Sequence, residues 1–406
     1  MANNNKHTGP NVPALRFPEF SGEWIESKLG DIADFSKGAG ISKDQRSEEG
    51  NPCILYGELY TRYKSEVIAN VFSKTALPDS ELVKSKANDI IIPASGETAE
   101  DIATARCVPF DNILLGGDLN IIRLHEQDGK FFSYQLNGVR KYDIATVAQG
   151  VSVVHLHAGD LKGITVKYPS HIAEQEKISQ ILGLIDARIA TQSKIIEELK
   201  TLRSALRQRL LYQGSSDRIP LLCFAELKNG YAFKSNTYTE IGNHAIITIS
   251  NVTGERYIST EGCNKIQYIP SDIQDHQILH FGDILISMTG NVGRVSMCAK
   301  GSYLLNQRVG LLKIKPEYIE SSEFIFQCLR DLSFTNAMKD KGQGAAQQNI
   351  GKGDIEGYEI PWFDDARYMK SVANLLLEFD NAVLVEEKQY VKYTVQKAWL
   401  LSKLFI

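Results

Sequence analysis

The sequence lacks the short motifs by which most enzymes can be read. No GxxxxGK[ST] phosphate loop, GxGxxG dinucleotide fingerprint, HExxH zinc helix or GxSxG nucleophile elbow occurs in its 406 residues. No two of its 12 prolines are adjacent, which excludes the Pro-Pro-aromatic loop that holds a flipped base for amino methylation. The 6 cysteines, at 53, 107, 223, 263, 298 and 328, spell neither a CxxC metal or redox motif nor a tight disulfide framework, and are expected as buried thiols in a reducing compartment. No apolar run approaches the ~20 residues of a membrane span. The polar, Asn-rich stretch from Met1 to Pro13 does not read as a signal peptide, so a soluble, cytoplasmic protein is expected. A basic excess is also missing: the formal charge is -4, and no segment is strongly positive.

What is present is a repeat. Gln149-Gly150 returns as Gln343-Gly344, Asp160-Leu161-Lys162-Gly163 as Asp354-Ile355-Glu356-Gly357, and Ile185-Asp186 as Phe379-Asp380, each 194 residues on. Asn88-Asp89-Ile90-Ile91-Ile92 returns as Gly282-Asp283-Ile284-Leu285-Ile286, and Gly96 falls on Gly290, at the same offset. Leu29, Ile32, Ala33, Asp34 and Gly38 match Leu221, Phe224, Ala225, Glu226 and Gly230 at an offset of 192, a shift that a two-residue loop change explains. The chain reads as a diverged tandem duplication.

Each copy begins β-rich. Runs such as Ile90-Ile91-Ile92, Leu119 to Leu124 and Ile246 to Ile249 are short, apolar and bounded by Gly, Pro, Asn or Asp. A short helix is expected around Ser322 to Leu332. Each copy then closes on a long helix. The first seam is Ile178, Leu182, Ile185, Ile189, Ile196, Leu199, Leu206 and Leu210, and the second is Val372, Leu376, Phe379, Val383, Tyr390, Tyr393, Leu400 and Leu404. Polar residues break both at corresponding places: Gln192 and Arg203 in one, Glu386 and Lys397 in the other. A helix of about 40 residues must bury such a stripe, and the matching stripe is the other helix. The expected fold is α+β, with two tandem β-rich domains, each followed by a long α-helix, and the two helices forming an antiparallel coiled coil. Pairing Ile178 with Leu404 places Arg203 beside Asp380 and Lys397 beside Asp186, two symmetric ionic contacts that fix register.

Candidate chemistry is sparse. His155-x-His157 offers two imidazoles without a third ligand nearby, so no metal site is expected. The segment Pro78-Asp79-Ser80-Glu81 with Lys84 has the wrong spacing for a nuclease site, and the second copy does not repeat it. No catalytic residue is assigned. Base reading, by contrast, needs Arg, Lys, Asn or Gln on loops that can enter a groove. In the second copy Gln343, Gln347, Gln348 and Asn349, flanked by Lys341 and Lys352, form one such loop, and Thr289, Asn291 and Arg294 another; Lys234 adds charge. The matching positions of the first copy are Gln149 with Ser152, and Ser95 with Thr98, while Lys37, Lys43, Arg46 and Arg62 are candidates for local phosphate contact. The two copies agree in scaffold and differ in these loops.

The order of three segments around the half-length repeat resembles the specificity (S) subunit of type I restriction-modification systems. They are Leu15-Arg16-Phe17-Pro18-Glu19-Phe20 through Trp24 to Leu29-Gly30-Asp31, the helix start Glu174-Gln175-Glu176-Lys177-Ile178, and Gln347-Gln348-Asn349-Ile350 to Asp354-Ile355. The resemblance implies a non-catalytic subunit in which each target-recognition domain reads one half of a bipartite double-stranded DNA site and the coiled coil sets the spacer. It also implies two methyltransferase subunits and restriction subunits as partners, to which S-adenosylmethionine, ATP and Mg would belong, with no cofactor on this chain and no membrane. The organisation it implies is an arm at 1–20, a first recognition domain at 21–170, a central helix at 171–213, a second recognition domain at 214–363 and a C-terminal helix at 364–406. The second helix departs from the family pattern, opening Asp364-Asp365-Ala366-Arg367-Tyr368 where a Gln/Glu-rich start is expected. The alternative is a non-catalytic interaction protein that binds protein or carbohydrate from a coiled-coil strut.

Overall fold

The computed structural model describes residues 11–406 except Asp79, Glu81, Val151, 213–216 and 343–347. It divides into two units, Met1–Ser193 with Gln389–Ile406, and Lys194–Lys388.

In the first unit a four-stranded antiparallel sheet runs in the order Ala33–Lys37, Leu119–Leu124, Asp89–Pro93, Arg106–Val108. Its apolar run Ile90-Ile91-Ile92 is buried throughout because both faces of the sheet are covered. Ile90, Ile92 and Ile122 point into a core that contains Phe131, Phe132 and Tyr134, while Ile91, Leu119 and Ile121 point into another with Ile54 and Leu59. A strand of period two between two apolar layers has no polar face, which is why this run shows no alternation. Asn88, just before it, has φ 79, a left-handed conformation that Asn tolerates and that Gly282 takes up in the second unit at φ 92.

The second unit repeats the order with Ala225–Asn229, Val309–Ile314, Ile284–Ser287 and Val295–Met297. Ile284, Ile286 and Leu312 face one core and Leu285, Leu311 and Val309 the other. Each unit also has a smaller four-stranded sheet with one parallel pair, Cys53 beside Leu114 in the first and Ala245 beside Tyr303 in the second. The expected short helix is Ser322–Leu329. Of the six cysteines, four are buried as expected, whereas Cys223 is exposed and Cys263 half-buried.

The long helices are Ile172–Tyr212 and Ala366–Leu404, and they pack against each other antiparallel. In the first unit Ile178, Leu182 and Leu404 share a core with the sheet helices, and in the second Leu211, Val372 and Leu376 do so. The start of the first helix is held by the N-terminal segment: Arg16 Nε and Nη2 donate to the Glu174 carboxylate at 2.8 Å each, and Trp24 Nε1 donates to it at 3.3 Å. The departing start of the second helix is capped differently, by Asp365 Oδ1 accepting from Arg367 N–H at 2.9 Å.

Both expected ionic contacts are present. Arg203 Nη1 lies 2.6 Å from Asp380 Oδ1, and Lys397 Nζ 2.7 Å from Asp186 Oδ1. Each is the centre of a larger cluster that ties the helices to the adjoining β-rich part. Around Asp380 the structure adds Arg330 at 2.6 Å, Arg256 at 3.1 Å and the amide of Gln327 at 2.9 Å. Around Lys397 it adds Glu66 at 2.5 Å, and Tyr134 Oη donates to Asp186 Oδ2 at 2.6 Å. One unit therefore sets several cations on one buried carboxylate, and the other two carboxylates on one buried cation.

Candidate nucleic-acid interface

The loops at one end of each central sheet are held by the same backbone contacts. In the first unit the strand Asp89–Pro93 runs into Ala94, whose N–H donates to the Asp118 carbonyl at 2.7 Å and whose carbonyl accepts from Leu156 N–H at 2.9 Å. In the second unit, 194 residues on, Met288 N–H donates to the Arg308 carbonyl at 3.1 Å and Met288 O accepts from Ile350 N–H at 3.0 Å. The following residues pair in the same way: Ser95 lies opposite His155, and Thr289 opposite Asn349. These positions too are 194 apart. The repeat seen in sequence is thus preserved in the geometry of individual backbone contacts.

A further segment closes on this point from the neighbouring strand. A Cβ on Gly38 would stand 2.0 Å from the Gly116 carbonyl oxygen, and one on Gly230 would stand 2.2 Å from that of Asn306. Only glycine permits that approach. Ala39 N–H then donates to Leu115 O at 3.1 Å, and Tyr231 N–H to Leu305 O at 2.8 Å. Residues 116–118 and 306–308 therefore join the loops singled out from the sequence. They belong to a part of the repeat that runs at an offset of 190, against 194 on the neighbouring strand, so an alignment at 194 does not bring them together.

The candidate side chains fall into distinct environments. In the second unit Thr289 pairs with Asn349, and Gly290 N–H donates to the Gln348 carbonyl at 2.9 Å; Asn291, Arg294 and Asn349 are exposed. Gln343 and Gln347 lie outside the described residues. In the first unit Ser95 is buried beneath its pairing with His155. Thr98 caps the short helix Ala99–Ile102, accepting from Asp101 N–H at 3.1 Å. Gln149 exchanges backbone hydrogen bonds with His155 and donates from its amide to Asp160 at 3.3 Å, while Ser152 is exposed.

Several candidate cations already have carboxylate partners. Arg62 and Arg46 both reach the buried Glu58, at 3.1 and 3.9 Å, and Arg62 also covers the Phe72 ring at 4.9 Å. Lys352 lies 3.1 Å from Glu226 and 3.5 Å from Glu356. Lys37, Lys43, Lys234 and Lys341 are exposed. Among the described residues no group of three or more His, Cys, Asp or Glu gathers to hold a metal ion, and no helix is long and apolar enough to cross a membrane.

The two units share one scaffold and differ in the polar residues of its loops, which defines a class of tandem-repeat α+β protein. The chain belongs to the type I restriction modification DNA specificity domain family, which matches it over residues 21–201 and again over 223–362. As a member of that family it is a non-catalytic specificity subunit. Its fold is similar to the crystal structure of the type I restriction-modification system S subunit from M. genitalium. The two share 18% identity, with 97% of this chain and 99% of that one covered and a TM-score of 0.66. A structure describing complex assembly and conformational transition of the type I R-M system is similar at 12% identity, with 94% and 97% covered and a TM-score of 0.54. A search of curated protein sequences returns no match.

Proposed function

We propose that the two units read the two halves of a bipartite double-stranded DNA site, and that the paired helices set the spacer between them. The observation that carries this reading is the pair of loop clusters, built on equivalent backbone contacts in the two copies yet presenting different side chains. A common scaffold with different polar groups is what reading two different sequences requires. On this reading Ser95, Thr98, Gln149 and Ser152 belong to one half-site, and Thr289, Asn291, Arg294, Gln343, Gln347, Gln348 and Asn349 to the other. The exposed lysines contact phosphates.

The organisation that goes with this reading is a recognition domain at 21–170 and another at 214–363, with helices at 171–213 and 364–406. The chain acts in the cytoplasm with two methyltransferase subunits and restriction subunits, which carry S-adenosylmethionine, ATP and Mg. The weak basicity of the chain fits a DNA contact shared with those partners.

Selection from a randomised duplex library by the full chain with its methyltransferase subunits is expected to return two short fixed sequences separated by a constant unspecified spacer. Affinity is expected to fall steeply as salt rises. A protein that binds carbohydrate would select no sequence and respond little to salt. The spacer reading has its own test. Removing residues 190–196 together with 387–393 deletes one heptad from each seam, about 10 Å at ~1.5 Å per residue. The selected spacer is expected to shorten by about three base pairs at ~3.4 Å each, with both half-sites unchanged. A changed half-site, or an unchanged spacer, would count against it.

A further inference from the structure

We propose that Asp118 and Arg308 each read one base pair from the same place in the two units, and that their opposite charges make the half-sites differ there. This deepens the reading above and rests on it. The two residues are structural equivalents: the carbonyl of Asp118 accepts from Ala94 N–H, and that of Arg308 from Met288 N–H. A strand of the central sheet begins at the next residue in each case, Leu119 in one and Val309 in the other. The close approaches at Gly38 and Gly230 hold the chain just before them. The backbone at both positions is thus fixed from both sides by the rigid sheet, the condition for placing a side chain to within a fraction of an ångström.

The side chains themselves are free. Both residues are exposed, and among the described residues neither the carboxylate nor the guanidinium has a hydrogen-bond or ion-pair partner. This sets Arg308 apart from Arg46, Arg62 and Lys352, whose charges are already met by Glu58, Glu226 and Glu356.

Chemistry then limits what each can read. A carboxylate is repelled by phosphates and only accepts hydrogen bonds, so on a DNA-reading surface Asp118 suits an exocyclic amino group. Cytosine N4 fits best, because beside the amino group of adenine stands the acceptor N7, which would face the second carboxylate oxygen. The guanidinium fork of Arg308 matches O6 and N7 of guanine. The half-site of the first unit therefore presents a cytosine at this place, and that of the second a guanine.

The test uses the full chain with its methyltransferase subunits and a randomised duplex library, comparing the native protein with Asp118→Asn and Arg308→Gln. Asparagine keeps the shape of Asp118 and tolerates its left-handed φ of 56. An amide both donates and accepts, which suits adenine N6 and N7. Asp118→Asn is expected to change one base in one half-site from cytosine to adenine, and Arg308→Gln one base in the other from guanine to adenine. Preference for the original base should fall roughly tenfold or more, with the spacer and the other half-site untouched. Variants that select the native site unchanged overturn the inference and leave the two-half reading standing. A uniform loss of affinity without a changed base assigns Arg308 to a phosphate and overturns it as well. A native protein that selects no bipartite sequence overturns both.

Discussion

Replacing Asp380 with alanine is expected to destabilise the second unit by about 3–5 kcal/mol, because the carboxylate it removes is the shared partner of several buried cations. Arg203, Arg256 and Arg330 lie within 3.1 Å of it, and its side chain is fully enclosed. Without it three guanidiniums remain crowded in a low-dielectric site, where Glu323 pairs with Arg256 and the charge of Glu255 acts on Arg203 and Arg330. The cost is that of unpaired buried charge, far above the loss of a surface contact.

The pH dependence gives an independent sign. Burial pushes the Asp380 carboxyl up, but Arg330, Gln327 and Arg203 more than reverse this and hold it at about 2, below its ordinary 3.8. A group whose folded value is depressed contributes stability that is full above its unfolded value and is lost as pH falls through the folded one. About 2 kcal/mol should therefore disappear between about pH 4 and pH 2 in the native protein, and Asp380→Ala should lack that part of the acid limb. Urea unfolding across this range, followed by a probe in the second unit, measures both effects. An Asp380→Ala protein as stable as the native one would show that the cluster carries no net energy.

Lys397→Met is expected to cost the first unit a comparable amount, about 3–5 kcal/mol at neutral pH, but with the opposite response to acid. Lys397 is the cation between Asp186 and Glu66, and its own value is raised: burial lowers it, and the two carboxylates outweigh that. Glu66 is already pushed above its ordinary 4.5, by burial first and also by the negative charge of Asp186, with Lys397 acting against both. Methionine fills the space but removes that opposing charge. A carboxyl whose folded value is raised binds its proton more tightly when folded, so stability is lost as pH rises through that value and recovered as pH falls. The variant should gain stability from pH 7 toward pH 5. Equal losses at both pH values would mean that packing alone, with no charge imbalance, accounts for the cost.

These two clusters show how far the sequence reached. Arg203, Lys397, Asp186 and Asp380 could be paired in advance because a helix seam has one period and an antiparallel pair one register, so a polar break on one helix points to its partner on the other. Glu66, Arg256, Gln327 and Arg330 could not be paired, since they reach the same clusters from outside the two long helices, Gln327 and Arg330 from the short helix Ser322–Leu329 and its end, and the period of the helix seam does not describe where those segments lie. The loops divide along the same line. Positions 95 and 289 align through the repeat, because Gly96 falls on Gly290 at the offset of 194, whereas the pairing of 155 and 349 with them is visible only in the structure. Asp118 and Arg308 do not align in this way, because their part of the repeat runs at a different offset.

The sequence by itself determined the duplication, the β-rich copies with their closing helices and the absence of catalytic motifs, since each of these is written in local pattern and spacing. The partners gathered around each buried charge, the candidate cations already neutralised by carboxylates, and the loop segments beside Ala94 and Met288 were decided only by the tertiary structure. The physical reason is that these depend on which strands lie side by side, and strand neighbours are set by the burial of both sheet faces, a property of the folded whole that residue spacing does not encode.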